Sequence, residues 1–303
     1  MRIPVVIIGG FLGAGKTTVV NQLLRHSQQR TAVIVNDFGA MNIDEKLILR
    51  QDGDVFALTN GCVCCSLGPD FSTTLEQVLA LSPPPNRIVV ESSGVSDPWR
   101  IAQLVKLEQR AELEAVVVLA DVMSFPTQLS DRWLTDTLTR QISRADLIAL
   151  SKCDLADGKA KTTARSAIAA IRDDVPVIEI SNGELPEIVI NPATSSRAGR
   201  MFASTPTHAF RTWAWRPHGP LDEARLREVL ERLPPAVLRG KGFFKLGKAS
   251  QQAVFQLVGR RWSVECRDAP NVSDEVVLIG SKELPPPEKL EALFGMTLVE
   301  SKD

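Results

Sequence analysis

The chain has little of what marks several large protein classes. No uninterrupted apolar run approaches the roughly 18 residues that a membrane span needs, which argues against a membrane protein. Neither charge dominates: 35 Lys+Arg stand against 36 Asp+Glu, a formal charge of −1. A dominant electrostatic nucleic-acid binder would carry a basic surplus, so that class is disfavoured. Histidine is scarce, with His26, His208 and His218 the only three, which excludes a histidine-rich metal store. Five cysteines, an odd number with three inside one tetrapeptide, do not resemble a secreted disulfide scaffold. Internal repeats and low-complexity tracts are absent as well.

What is present describes an ordinary globular protein. Hydrophobic residues make up 44% and charged residues 23% of 303 residues, enough for a large core and, at about 150 residues per domain, for about two domains. The first 200 residues alternate short Val- and Ile-rich runs with amphipathic stretches. The runs Ile3–Ile8, Thr31–Val35, Asp54–Leu58, Arg87–Val90, Ala115–Ala120, Asp146–Leu150 and Val175–Ile180 are nearly continuous in hydrophobicity, as parallel strands covered on both faces are. Helical patterns at Thr17–Gln28, Phe71–Leu81, Ile101–Arg110 and Lys159–Arg172 lie between them. This βαβα rhythm predicts an α/β fold with a doubly wound, mostly parallel sheet over residues 1–190. A Pro-, Ser- and Gly-bearing linker is expected at 191–206, and a smaller α+β domain at 207–303. In that domain strands are expected at His208–Trp215, Gln252–Val258, Arg261–Cys266 and Glu275–Ser281, with helices at Asp222–Glu231 and Pro287–Leu293.

Chemistry first appears at Gly10-Phe-Leu-Gly-Ala-Gly15-Lys16-Thr17, which satisfies G-x-x-x-x-G-K-[ST] between a predicted strand and a predicted helix. The apolar start of the chain could pass for a short signal peptide. Lys16-Thr17-Thr18 follows at once without a processing pattern, so a first strand is the better reading. Glycines let successive backbone N–H groups surround a phosphate, and the following helix adds its positive end. Gly10, Gly13, Ala14, Gly15 and Thr18 are therefore candidate nucleotide contacts. Lys16 would reach the β- and γ-phosphates, and the Thr17 hydroxyl would ligate Mg²⁺. Lys16 is expected to be solvent-accessible before a ligand arrives.

Two further segments suit a triphosphate. Ser151-Lys152-Cys153-Asp154 ends a hydrophobic strand and is similar to the guanine-reading N-K-x-D element of P-loop GTPases, with Ser in place of Asn. A carboxylate at Asp154 can accept from both the ring N–H and the exocyclic amine of guanine, a donor pair adenine lacks. The stem of Lys152 can cover the base, and Ser181-Asn182-Gly183, ending the next strand, is a weaker candidate for closing over it. Arg87-Ile-Val-Val-Glu91-Ser-Ser-Gly94 repeats the order strand, acid, glycine. There Glu91 would support Mg²⁺ through water and the Gly94 amide would sense the γ-phosphate, the plainer alternative being a glutamate that caps a strand end.

Asn60-Gly61-Cys62-Val63-Cys64-Cys65-Ser66 is the unusual feature. In an extended segment Cys62 and Cys64 share a face and Cys65 points elsewhere; a turn would let all three bind one ion. Soft thiolates favour Zn²⁺ or a similar borderline metal. A buried small-residue turn and a redox thiol pair are the alternatives.

Taken together these residues resemble the CobW-like family of P-loop GTPases, metallochaperones and metal-centre assembly factors. The matching segments are Gly9–Thr18, Asn36-Asp-Phe-Gly39 with Ile43-Asp44, Gly61–Cys65, Glu91–Gly94 with Asp97-Pro98, and Gln141-Ile through Asp154. His208, Pro220-Leu-Asp222 and Leu238-Arg-Gly-Lys-Gly242 look like the family's C-terminal domain. The resemblance implies GTP hydrolysis coupled to metal binding or delivery, with zinc the commonest assignment and cobalt, nickel or iron in particular branches. It implies a SIMIBI-like nucleotide domain in a cytoplasmic protein. A client metalloprotein would be met by the C-terminal domain, with neither nucleic acid nor membrane as partner. Asp37, where the family has Glu, and Asp44 are candidates for the metal's remaining ligand. No residue is identified as the base for the attacking water, so slow intrinsic turnover is expected. A regulatory scaffold with a structural metal, and a small-molecule kinase using the same phosphate loop, are the alternatives. Finally, if the strands before the cysteines and before Glu91 belong to one parallel sheet, both segments leave it at the same carboxyl edge.

Overall fold

The computed structural model describes residues 2–27, 29–35, 55–57, 63–186, 210–247, 251–266 and 274–299. The chain divides into two compact units, Met1–Ile190 and Asn191–Asp303. The segment 191–206, expected as a linker, lies outside the described residues.

Strands β1 (Ile3–Gly10), β2 (Thr31–Val35), β3 (Val55–Ala57), β4 (Arg87–Glu91), β5 (Ala111–Asp121), β6 (Leu147–Ser151) and β7 (Val177–Glu179) form a seven-stranded sheet of order β3-β2-β4-β1-β5-β6-β7. Every pairing in it is parallel. Continuous hydrophobicity has its physical cause here, because both sheet faces are covered and alternate residues of each central strand bury on opposite sides. Helix α1 (Lys16–His26) lies against β1 and β4. The other face carries Val5, Ile7, Ile34, Ile88, Val90, Val116, Val118 and Ile148 into one core. That core receives residues of α2 (Val63–Leu79), α3 (Pro98–Leu107), α5 (Thr135–Ser143) and α6 (Gly158–Ile171). The short α4 (Phe125–Leu129) contributes Phe125. Side chains of Asp97 and Asp157 accept the Trp99 and Ala160 amides and so start α3 and α6 at fixed residues.

Some expectations needed correction. The helix expected from Phe71 begins at Val63, and the one expected from Ile101 begins at Pro98 behind its Asp97 cap. Helices α4 and α5 were not anticipated. In α5 only Leu138 and Ile142 supply an apolar pair, too sparse a pattern to mark a helix.

The second unit is an antiparallel five-stranded sheet of order β11-β10-β9-β12-β8. Its strands are β8 (Phe210–Trp215), β9 (Val237–Leu246), β10 (Gln251–Val258), β11 (Arg261–Cys266) and β12 (Glu275–Ser281). Helices α7 (Glu223–Glu231) and α8 (Pro287–Gly295) pack Leu226, Leu230, Leu290 and Phe294 onto Trp213, Trp215, Phe244 and Leu278. The middle strand β9 was absent from the sequence reading because Gly240 and Gly242 weaken its strand pattern. A Cβ on Gly240 would lie 2.8 Å from both Leu278 and Phe255, and one on Gly242 would lie 2.6 Å from the Glu275 carbonyl oxygen. Close packing therefore demands glycine inside this strand.

Candidate functional site: a nucleotide pocket at the carboxyl edge of the sheet

The loop between β1 and α1 uses backbone conformations that suit glycine. Gly10 has φ +132°, and a Cβ there would stand 2.5 Å from the Leu119 carbonyl oxygen. Gly13 and Gly15 have φ +75° and +91°. The loop closes on itself through Ala14 N–H donating to the Phe11 carbonyl at 3.2 Å. Lys16 differs from expectation: it is only 8% exposed, and its Nζ donates to the Phe11 carbonyl at 3.2 Å. The loop thus offers its lysine a carbonyl as partner, and the side chain folds inward.

Strand β4 runs beside β1 in parallel register, with Ile8 opposite Glu91. The register carries Glu91 to the start of α1, where the Thr17 hydroxyl donates to its Oε1 at 2.8 Å. Glu91 is buried, and its carboxylate with the Thr17 hydroxyl forms a hard-oxygen donor set of the kind Mg²⁺ takes. Beyond it the chain stays close to the loop. A Cβ on Gly94 would lie 2.8 Å from the Leu12 nitrogen and 2.6 Å from its Cδ2, so only glycine permits this approach. The buried Ser93 hydroxyl has no hydrogen-bond partner among the described residues.

The other end of the pocket is built from β6 and β7. Ser151 is buried, and its hydroxyl lies 2.8 Å from the Ala14 carbonyl and 3.3 Å from that of Ala120, tying the base-side strand to the phosphate loop. Lys152 takes a left-handed conformation at φ 60° and its Nζ meets Asp121 Oδ2 at 2.7 Å. Asp121 also accepts the Met123 and Ser124 amides. Burial pushes the Asp121 carboxyl pKa up, but the Lys152 ammonium and the two amides outweigh it and hold it below the usual value. Cys153, between them, is buried and donates to the Leu150 carbonyl, and burial raises its thiol pKa. Asp154 Oδ1 accepts the Asn182 amide at 3.2 Å, while Gln22 Nε2 donates to the Asn182 carbonyl at 3.3 Å. The turn that starts at Ser181 closes by Glu184 N–H donating to the Ser181 carbonyl at 2.9 Å. It rests on Thr18, since a Cβ on Gly183 would come within 2.7 Å of the Thr18 Cγ2.

The structure therefore brings together Gly10, Gly13, Ala14, Gly15, Lys16, Thr17, Thr18, Glu91 and Gly94 at one end and Ser151, Lys152, Asp154 and Ser181 at the other. Sequence reasoning missed Asp121 and Gln22. The available signal for Asp121 was its position ending a strand, directly opposite Ser151 in the ladder.

Cys62, Asp37, Asp44 and His208 lie outside the described residues. Cys64 and Cys65 fall in the first turn of α2, so the backbone from Val63 is helical and the extended arrangement considered for the motif does not hold there. The topological expectation does hold: β3 and β4 flank β2 in one parallel sheet, so the segments that follow them leave at the same edge. His26 is exposed, with Nδ1 2.9 Å from the Gln22 carbonyl oxygen.

Comparison with known proteins gives this pocket its relatives. Residues 4–179 match the CobW/HypB/UreG nucleotide-binding domain, and residues 210–298 match the cobalamin synthesis protein cobW C-terminal domain. The chain belongs to the CobW-like family of P-loop GTPases. It is 29% identical over 308 residues to the zinc chaperone CobW of Pseudomonas aeruginosa, covering 86% of this chain and 82% of that one. It is 33% identical over 192 residues to the zinc chaperone YjiA of Escherichia coli, covering 60% of this chain and 59% of that one. A crystal structure of Zn(II)-bound YjiA GTPase from E. coli aligns over 99% of this chain and 100% of that chain at 22% identity and a TM-score of 0.46.

Proposed function

We propose that this protein is a GTP-hydrolysing metallochaperone that binds a transition metal, zinc first and cobalt, nickel or iron next, through Cys62, Cys64 and Cys65. Hydrolysis drives delivery of that metal to a client protein in the cytoplasm, with the C-terminal unit meeting the client. The observation that carries the nucleotide half is the 2.8 Å bond from Thr17 to Glu91, which joins the first turn of α1 to the end of β4 beside the phosphate loop. Bound there with the nucleotide, Mg²⁺ would neutralise charge on the β- and γ-phosphates. Lys16 turns from the Phe11 carbonyl to the phosphates, and the loop amides hold the phosphate oxygens. Asp154 reads guanine: Oδ1 already accepts Asn182, and the carboxylate keeps lone pairs for the ring N–H and the amine. The metal half is supported by the family membership, by the zinc chaperone names of the relatives, and by the parallel sheet in which β3, the strand that precedes the cysteines in sequence, ends at the same edge as β4.

The test is thermodynamic coupling of metal and nucleotide. Zn²⁺ affinity, measured by competition with a chromophoric chelator, should differ at least about 5-fold between a non-hydrolysable GTP analogue and GDP, and Zn²⁺ must shift the analogue's affinity relative to that of GDP by the same factor. Equal Zn²⁺ affinities would overturn the chaperone and leave a nucleotide-dependent scaffold with a structural metal. For the base, Asp154→Asn should weaken GTP and improve xanthosine triphosphate; wild-type protein that binds ATP as tightly as GTP refutes the guanine assignment.

A further inference from the structure

Gln141 is an anomaly in the core. It sits in α5 between Leu138 and Ile142, which bury against the sheet at 2% and 1% exposure, and it is itself 1% exposed. A primary amide buried that deeply is costly unless it is hydrogen-bonded. Its partners are not in its own helix. Nε2 donates to the Gly94 carbonyl at 3.2 Å and to the Ser96 carbonyl at 2.9 Å. One turn further along, Arg144 Nη1 donates to Asp97 Oδ2 at 3.1 Å. The last turn of α5 thus grips the whole segment from Gly94 to Asp97. That segment is short and internally bonded, with both the amide and the hydroxyl of Ser96 donating to the Ser93 carbonyl at 3.1 and 2.9 Å. Its other side is closed by the Gly94 contact with Leu12 of the phosphate loop.

We infer that Gln141 is a positioning residue for γ-phosphate recognition: it clamps Gly94 against the phosphate loop. The inference rests on the GTPase reading proposed above. Gln141 holds the carbonyl of Gly94 and so limits movement of the residue whose amide the reading above assigns to the γ-phosphate. By fixing the loop, the clamp lowers the cost of ordering it around a triphosphate. A diphosphate makes no use of Gly94, so the clamp acts on one nucleotide and not on the other. A side chain that merely filled the core would affect both alike.

The decisive measurement is the ratio of affinities for GDP and for a β,γ-imido GTP analogue, both with Mg²⁺, by competition against a fluorescent guanine nucleotide on the full chain. Gln141→Leu keeps the volume and removes both donors. It should weaken the imido analogue about 5-fold or more, in the range of measured site-to-site couplings, and leave GDP within about 2-fold of wild type. Equal losses for the two nucleotides, or no loss for either, overturn the inference. Should Gln141→Leu fail to fold, Arg144→Ala decides, since its side chain is 51% exposed and it loosens the same segment at Asp97. There a selective loss of about 2-fold or more supports the clamp, and an unchanged ratio overturns it. Wild-type protein that binds neither guanine nucleotide would instead overturn the GTPase reading itself.

Discussion

Replacing Ser151 by alanine is the sharpest probe of how the two ends of the pocket are joined. Its hydroxyl has one proton, and of the two carbonyls within reach that of Ala14, at 2.8 Å, is nearer than that of Ala120, at 3.3 Å. The site is 3% exposed, so water does not readily replace the lost donor. Leaving a buried carbonyl without its donor costs about 1–3 kcal/mol, and the removed oxygen adds little cavity. The loss divides between stability and binding. Whatever fraction of the bond exists without nucleotide appears in unfolding, and whatever is tightened by nucleotide appears in affinity. Taken wholly in stability it would lower the melting temperature of the Met1–Ile190 unit by roughly 2–12 °C, at about 2–4 °C per kcal/mol for a domain of that size. Taken wholly in affinity it would weaken binding about 5- to 150-fold, equally for GDP and for a GTP analogue because Ala14 belongs to the loop that both share. Calorimetric unfolding of the nucleotide-free chain and titration with each nucleotide measure the two parts. A melting temperature within about 1 °C of wild type together with unchanged affinities would refute the tie, as would a loss confined to the triphosphate.

Lys16→Ala should abolish hydrolysis and, because the lysine is buried on the Phe11 carbonyl, also cost about 0.5–1.5 kcal/mol of stability; unchanged turnover in folded protein sinks the phosphate-loop assignment. Ser93→Ala removes a buried hydroxyl that has no partner among the described residues, so the nucleotide-free protein should be as stable as wild type or about 1 kcal/mol more stable in urea. A loss above about 1 kcal/mol would show that the hydroxyl is bonded. Asp121→Asn tests a pH dependence. The folded carboxyl lies below its ordinary pKa, so its contribution is complete above the unfolded value of about 3.9 and is lost as pH falls through the lower folded value. With Lys152 39% exposed, the wild-type advantage should be under about 1 kcal/mol at pH 7 and should shrink below about pH 4; a difference constant from pH 7 to pH 3 refutes the pairing.

Much of this molecule is legible along the chain, for local reasons. A strand covered on both faces must be apolar at successive residues, so Ile3–Gly10, Thr31–Val35 and Leu147–Ser151 show themselves without reference to any neighbour. A phosphate loop is a single turn whose glycines, lysine and threonine are contiguous. The Ser151–Asp154 and Glu91–Gly94 segments are likewise short stretches that end strands. In each of these the property that marks the residues is carried within a few positions. Tertiary structure decided everything that depends on a distant partner. Gly240 and Gly242 break a strand pattern locally and are required by Leu278, Phe255 and Glu275 from other strands. The α5 pattern is thin because one inward position is Gln141, whose polarity is explained only by carbonyls 47 and 45 residues earlier in the chain. Asp121 acquires its role from Lys152, 31 residues later, and Lys16 is buried because the loop that would cradle a phosphate folds its own carbonyl toward the lysine. A residue type advertises chemistry or burial by itself, but which group satisfies a buried donor or charge is set by the packing of segments that the sequence keeps apart.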